Sequence, residues 1–338
     1  MGRELSFVST VGVVAGGLRS SPFRRALCKI SKISVPLCLR GLFYCLKMIN
    51  DAHCHFFSTA FFAPLGGDAA LATLGWDAPG TAEALADRWV AELDRHQVSR
   101  AALIASVPGD AASVAAAVHR HRQRFVGFFM VDPTQADAPD KAATALRDPG
   151  MLAICLFPAM HRYSMHDDRA RRIVEVAAAV PGTAVFVHCG VLSVGVRKRL
   201  GLASPFDIRF GNPLDLHAIA LGHPKVPIII PHFGAGMLRE ALMVADLCPN
   251  VVLDTSSSNG WIKYVGLNLA TVFGQALAVV GPGRLLFGSD SSFFPRGWVG
   301  GVYEQQSAAL DEIGASTEVR EKIFGANFER LFPAVTLE

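Results

Sequence analysis

The sequence predicts an α/β protein, a single-domain (β/α)8 barrel of the TIM type, and three observations carry that prediction. After residue 48, short apolar runs alternate with amphipathic helical stretches, the pattern of repeated βα units. The runs are dense in Val, Ile, Leu and Ala, as strands buried on both faces are. Five side chains of metal-ligand type, His53, His55, His188, His232 and Asp290, stand at or just beyond the ends of four of those runs. In a parallel barrel such ends converge at the C-terminal mouth, where barrel enzymes keep their chemistry.

The elements follow in order. A first strand is expected over residues 48–53, then a long Phe-rich loop and a helix over 81–96 with Trp89, Val90 and Leu93 at helical spacing. The second strand covers 100–106, and Asp110 is placed to cap an Ala-rich helix running to residue 121. A third strand over 125–131 precedes a helix over 136–147, which Asp148-Pro149-Gly150 stops. The fourth strand covers 152–157 and leads into a loop carrying His161, Arg162 and Tyr163, with a helix from near Asp167. The fifth strand ends at His188, the sixth at His232 and the seventh, 251–253, at Asp254. The eighth, 285–287, runs into Gly288-Ser289-Asp290, and a last helix is expected over 317–331.

A chain of 338 residues, 51% hydrophobic and 18% charged, can bury a core of that size. No apolar run reaches the roughly 18 to 20 residues of a membrane span, so no membrane partner is expected. Seven scattered cysteines without a Cys-x-x-Cys pair read as reduced thiols in a cytoplasmic protein. Residues 1–47 stand apart: eight basic residues against one acid give them net +7, which leaves −4 of the overall +3 for the remainder. The basicity therefore belongs to this extension and does not argue for nucleic acid. Two readings of it stay open, an over-long start before Met48 and an Arg-rich targeting segment, and neither gives it a catalytic residue.

The chemistry is built from residue types. Alternation along a strand sends His53 and His55 to one side and Cys54 to the other, so His-x-His makes a two-nitrogen grip. His188 adds a third nitrogen and Asp290 a carboxylate oxygen, with a coordination position left open for water or substrate. One divalent ion, Zn2+ or else Mn2+, would bring a water's pKa towards neutrality there and polarise a carbonyl. Asp290 is expected to carry the proton, and His232 to orient the water or substrate oxygen.

These residues also carry a resemblance. His-x-His at the first strand, Val-His at the fifth, Ile-Pro-His-Phe-Gly at the sixth and Leu-Phe-Gly-Ser-Asp at the eighth resemble the amidohydrolase superfamily. The nearest branch is the amidohydrolase-related one, which contains lactonases, other hydrolases, hydratases and decarboxylases of the aminocarboxymuconate-semialdehyde type. The closing Ile323-Phe-Gly-Ala-Asn327-Phe-Glu-Arg330-Leu-Phe332 is similar to that branch's last helix. The resemblance spans residues 48–333 and implies a homodimer. Dinuclear members have a lysine, carboxylated to bridge two metals, in a segment like Ile-Lys-Leu-Phe-Pro; this chain has Ile154-Cys155-Leu156-Phe157-Pro158. A thiol forms no carbamate, so one metal is expected, with Cys155 either a core thiol or a soft ligand.

Other readings stay open. Asp254 is either the partner of a ligand imidazole or a cap. His161, Arg162 and Tyr163 either touch substrate or decorate a loop, while His119 and His121 belong to the surface and Cys54 and Cys189 to the packing. Phe56, Phe57, Phe61, Phe62, Phe293, Phe294 and Trp261 follow strand ends and can wall a pocket; Arg162, Arg197, Arg209 and Arg296 can bind a carboxylate. A hydrolase of an ester, lactone or amide in a small cyclic or unsaturated carboxylic acid is the first expectation. A metal-dependent decarboxylase is the second, and a barrel without turnover the third, disfavoured because all five positions are intact.

Overall fold

The computed structural model describes residues 48–256, 260–264 and 266–334, and the extension expected over 1–47 lies outside the described residues. Eight parallel strands form one sheet in sequence order: β1 (Ile49–Phe56), β2 (Val98–Ala105), β3 (Phe125–Val131), β4 (Met151–Leu156), β5 (Ala184–Val187), β6 (Ile228–Ile230), β7 (Val251–Asp254) and β8 (Leu285–Leu286). The first and last strands meet through backbone bonds from Ala52 N to Phe287 O (2.8 Å), Asp290 N to His53 O (2.9 Å) and His55 N to Ser291 O (2.7 Å). The expected barrel is thereby nearly closed, and helices fill the intervals between its strands.

Side-chain alternation divides the apolar residues into an inner and an outer layer. Ala102, Ile104, Phe128, Cys155, Phe186, Val252 and Leu286 fill the barrel interior, while the opposite faces of the same strands pack on helices such as Ala82–Arg95 and Asp168–Ala178. Phe328 of the last helix and Phe332 just after it join the inner layer and floor the barrel; Phe332 meets Phe128 at 5.1 Å between ring centroids. Arg100, at the start of β2, pairs with Glu329 and donates to the Phe332 carbonyl at 2.8 Å, which fixes the floor in place.

Three elements depart from expectation. The last helix is not uniform: Lys322–Ala326 widens to a π-helical turn between Thr317–Glu321 and Asn327–Leu331. The Phe-rich loop after β1 folds into short helices, Thr59–Phe62 and Asp68–Leu74, the first capped by Ser58. β6 stops at Ile230 rather than His232, because Pro231 has no N–H to continue the ladder. No helix among the described residues is long and apolar enough to cross a membrane.

Candidate metal centre and active-site cavity

A register irregularity in β1 between Asp51 and Cys54 prepares the centre. Such a bulge re-aims side chains. Here Ala52 packs into the barrel interior, yet the next residue, His53, also turns inward, its ring 5.1 Å from that of Phe186. Regular alternation resumes with Cys54 packed outward and His55 facing the mouth. Asp51, buried beneath, accepts from the His53 and Ser289 amides and from Trp298 Nε1 (2.7 Å), which ties β1 to the segment after β8. Gly288 in that segment is required by closeness: a Cβ there would lie 2.6 Å from Asp254 Oδ1 and 2.8 Å from His53 Cβ.

Three donor atoms converge above this frame. His53 Nε2 and His55 Nε2 are 3.3 Å apart, and Asp290 Oδ1 lies 3.7 Å and 3.2 Å from them. Donors held about 2.1 Å from one tetrahedral ion stand roughly 3.4 Å apart, so the spacing suits one divalent cation. The far side of each ring fixes its tautomer. His53 Nδ1 donates to Asp254 Oδ2 at 2.6 Å. Ser106 Oγ gives its own proton to Ile104 O and so accepts from His55 Nδ1 at 2.7 Å. Both Nε2 lone pairs are left facing inward.

His188 and His232 complete the ring of imidazoles, with centroids 5.1 Å apart. His232 Nδ1 is 2.9 Å from Ser256 O, an acceptor only, so its Nε2 carries the free lone pair. His188 is 4% exposed, its Nδ1 has no hydrogen-bond partner, and it stands outside the trio of close donor atoms. His232 and Asp290 both adopt left-handed backbone conformations, φ 57° in each, which are uncommon for non-glycine residues.

Burial pushes the pKa of His188 well below that of a free imidazole, and it lowers His55 and His232 as well. For His53, burial lowers the pKa but the charge and hydrogen bond of Asp254 reverse it, and the net direction is up. Burial would raise Asp290, yet the His55 hydrogen bond and the charges of His53 and His232 hold it far below the usual carboxylate range. Asp290 is therefore ionised at neutral pH.

A cavity of about 260 Å³ opens over the cluster, walled by Phe57, Phe61, Met130, Phe157 and Phe293 and floored by His55, His188, His232 and Asp290. A second space of about 210 Å³ shares His188, Ser193, His232 and Asp290 and extends to Trp261, Lys263 and Tyr264. A larger groove of about 850 Å³ runs between the helices Ala111–Arg120 and Ala138–Ala145, shares only Met130 with the first cavity, and contains none of its histidines nor Asp290.

The sequence model of the amidohydrolase family matches residues 51–334, a span that includes every residue of this cluster. The chain belongs to the amidohydrolase-2 family. No curated protein matches it by sequence. Among solved structures it is similar to a probable 2-pyrone-4,6-dicarboxylic acid hydrolase from Acinetobacter baumannii with citric acid bound, at 15% identity, TM-score 0.57, covering 84% of this chain and 98% of the other. It is likewise similar to a 5-carboxyvanillate decarboxylase from Novosphingobium aromaticivorans with bound manganese and 3-methoxy-4-hydroxy-5-nitrobenzoic acid (15%, 0.57, 84% and 97%). An amidohydrolase from Burkholderia multivorans with bound zinc is a third (16%, 0.53, 85% and 100%). At these identities the likeness is one of fold.

Within this amidohydrolase-2 barrel, the expected site residues fall into two groups. His55, His188, His232 and Asp290 line one cavity, and His53 joins His55 and Asp290 in the trio of close donors, with His188 and His232 outside it. Arg296 lines the same cavity, donating to Asp290 O (2.9 Å) and Ser292 Oγ (2.8 Å) beneath the ring of Phe293. Phe56 is corrected: the alternation that turns Cys54 outward turns Phe56 outward too, and Phe57 is the cavity wall. Tyr163 is also corrected, buried between strands and helices at 2% exposure. Arg162 is spent on the Pro205 carbonyl (2.8 Å), and His161 sits near Asp132; neither lines the cavity.

Asp254 accepts from His53 and, through Oδ1, from the Ser256 amide at 2.7 Å; it caps no helix among the described elements. Cys155 lies in the inner layer with its thiol pKa pushed well up by burial, the state of a core thiol. His119 and His121 make surface pairs with Asp148 (2.7 Å) and Asp87 (2.5 Å). Sequence reasoning missed Ser106 and Ser256. Ser106 closes the second strand at the mouth, a position that was itself the signal.

Proposed function

We propose that this protein is a mononuclear metal-dependent hydrolase of an ester, lactone or amide bond in a small cyclic or unsaturated carboxylic acid. The observation that carries the proposal is the meeting of His53 Nε2, His55 Nε2 and Asp290 Oδ1 within 3.2–3.7 Å under an open, aromatic-walled cavity. His53, His55, His188 and Asp290 would hold the ion, zinc or manganese, which when bound acidifies a water and polarises a carbonyl oxygen. Asp290, ionised at neutral pH, takes the proton of the attacking water and delivers it to the leaving group. His232 presents Nε2 to the substrate oxygen and is held by Ser256. The walls of Phe57, Phe61, Phe157 and Phe293 seat a planar body and exclude bulk water.

Decarboxylation of an aromatic or unsaturated acid is the second reading, favoured by those same aromatic walls and by the likeness to the carboxyvanillate decarboxylase. Asp290 would then protonate the carbon that loses carbon dioxide. A panel of lactones, esters and aromatic acids, followed for both acid release and carbon dioxide, tests the two. Acid release without carbon dioxide is the expected result. Carbon dioxide from an aromatic acid, with the lactones and esters untouched, would replace the hydrolase reading with the lyase one.

A further inference from the structure

The two spaces over the metal centre differ in chemistry. The larger is walled by Phe57, Phe61, Phe157 and Phe293. The smaller is lined by Ser193, Trp261, Lys263 and Tyr264, which bring donor groups, together with His188, His232 and the Asp290 carboxylate. Trp261 is 5% exposed, and its Nε1, which can only donate, has no hydrogen-bond partner. A buried donor in that state calls for an acceptor, which a water or a ligand group can supply. Lys263 has no ion pair among the described residues and rests against the ring of Tyr264 at 5.0 Å.

Lys and Trp present donors and no acceptor, so the group that matches them accepts only, and a single ammonium matches a single negative charge. Arg296, the other cation at the cavity, already donates to Asp290 O and Ser292 Oγ. We propose that the space lined by Ser193, Trp261 and Lys263 binds a spectator carboxylate of the substrate while its apolar body lies between Phe57 and Phe293. The reacting bond then falls where the two spaces join, at His188, His232 and Asp290. This last step rests on the hydrolase reading; the carboxylate site itself does not.

Calorimetry of the full-length protein with 3-phenylpropanoate and its neutral analogue 3-phenylpropan-1-ol, in zinc-loaded and chelator-treated forms, tests the site without needing turnover. The acid is expected to bind both forms, at least about tenfold more tightly than the alcohol. Lys263→Ala should weaken the acid about tenfold and Trp261→Phe, which keeps the ring but removes the N–H, several-fold; neither should alter the alcohol. Lys225→Ala, on an exposed position away from the cavity, should change nothing. The proposal is overturned if the acid fails to bind, if both site variants bind it as the wild type does, or if the alcohol binds equally well. It is also overturned if the acid binds only the zinc-loaded form, since the carboxylate would then sit on the metal. A protein that binds as expected but hydrolyses nothing would retain the site and lose the hydrolase reading.

Discussion

His53 Nδ1 lies 2.6 Å from Asp254 Oδ2, in a place where neither residue meets solvent. The pair orients the ring and keeps its other nitrogen, Nε2, directed at His55 and Asp290. A partner of this kind is worth roughly 10- to 100-fold in metal affinity. Asp254→Asn should weaken zinc binding on that scale while the folded barrel persists, as competition with a chromogenic chelator can measure. Unchanged affinity would mean that Ser256 Oγ, 2.9 Å from the same nitrogen, and packing against Phe186 suffice to hold the ring.

The same pair sets the pH dependence of metal uptake. Asp290 is ionised and His55 and His188 are neutral at neutral pH, so the proton that competes with the metal resides on His53, whose pKa is raised. Below that raised value the ring is protonated and must lose its proton to bind. Affinity should therefore climb by roughly tenfold per pH unit as pH rises towards it and level off above. In Asp254→Asn the plateau should begin at lower pH, because the charge that raised the pKa is gone. Calorimetric titrations in buffers of different ionisation enthalpy would report the released proton directly.

Asp290→Asn keeps the shape and an oxygen ligand but cannot carry a proton. It should retain most bound metal and lose turnover by about 10² to 10⁴. His53→Ala should instead lose the metal. Near-normal turnover by a metal-loaded Asp290→Asn protein would move the proton-carrying role to His232.

Asp51 is predicted to matter for stability. It receives the His53 and Ser289 amides, the Ser289 hydroxyl and Trp298 Nε1, all buried, across the β1–β8 junction. Asp51→Ala would orphan those donors and should cost about 3 kcal/mol or more. Urea unfolding should show a lowered midpoint at an unchanged slope. A midpoint equal to that of the wild type would mean that water replaces the carboxylate.

Much of this was legible in the sequence because buried parallel strands are written as short apolar runs whose ends are chemically conspicuous. His-x-His, Val-His and Gly-Ser-Asp each announced a strand end, and the count of eight followed from the intervals. Side-chain direction was less legible. Phe56 was readable as outward from the parity that placed Cys54, but the inward turn of both Ala52 and His53 depends on the β1 irregularity, which no periodicity reveals. His232 was assigned to a strand it lies beyond, since Pro231 ends β6 and starts a left-handed turn. Ser256 and the lining role of Lys263 were hidden because loops bring them to the site without a local pattern.

The most direct test is elemental analysis of the purified protein, paired with chelation and zinc or manganese restoration while acid release from the best substrate of the lactone and ester panel is followed. About one metal per chain is predicted, with turnover lost on chelation, regained on restoration and never regained by His53→Ala. Two tightly bound metals per chain would contradict the mononuclear centre, and turnover that survives complete metal removal would contradict the centre altogether.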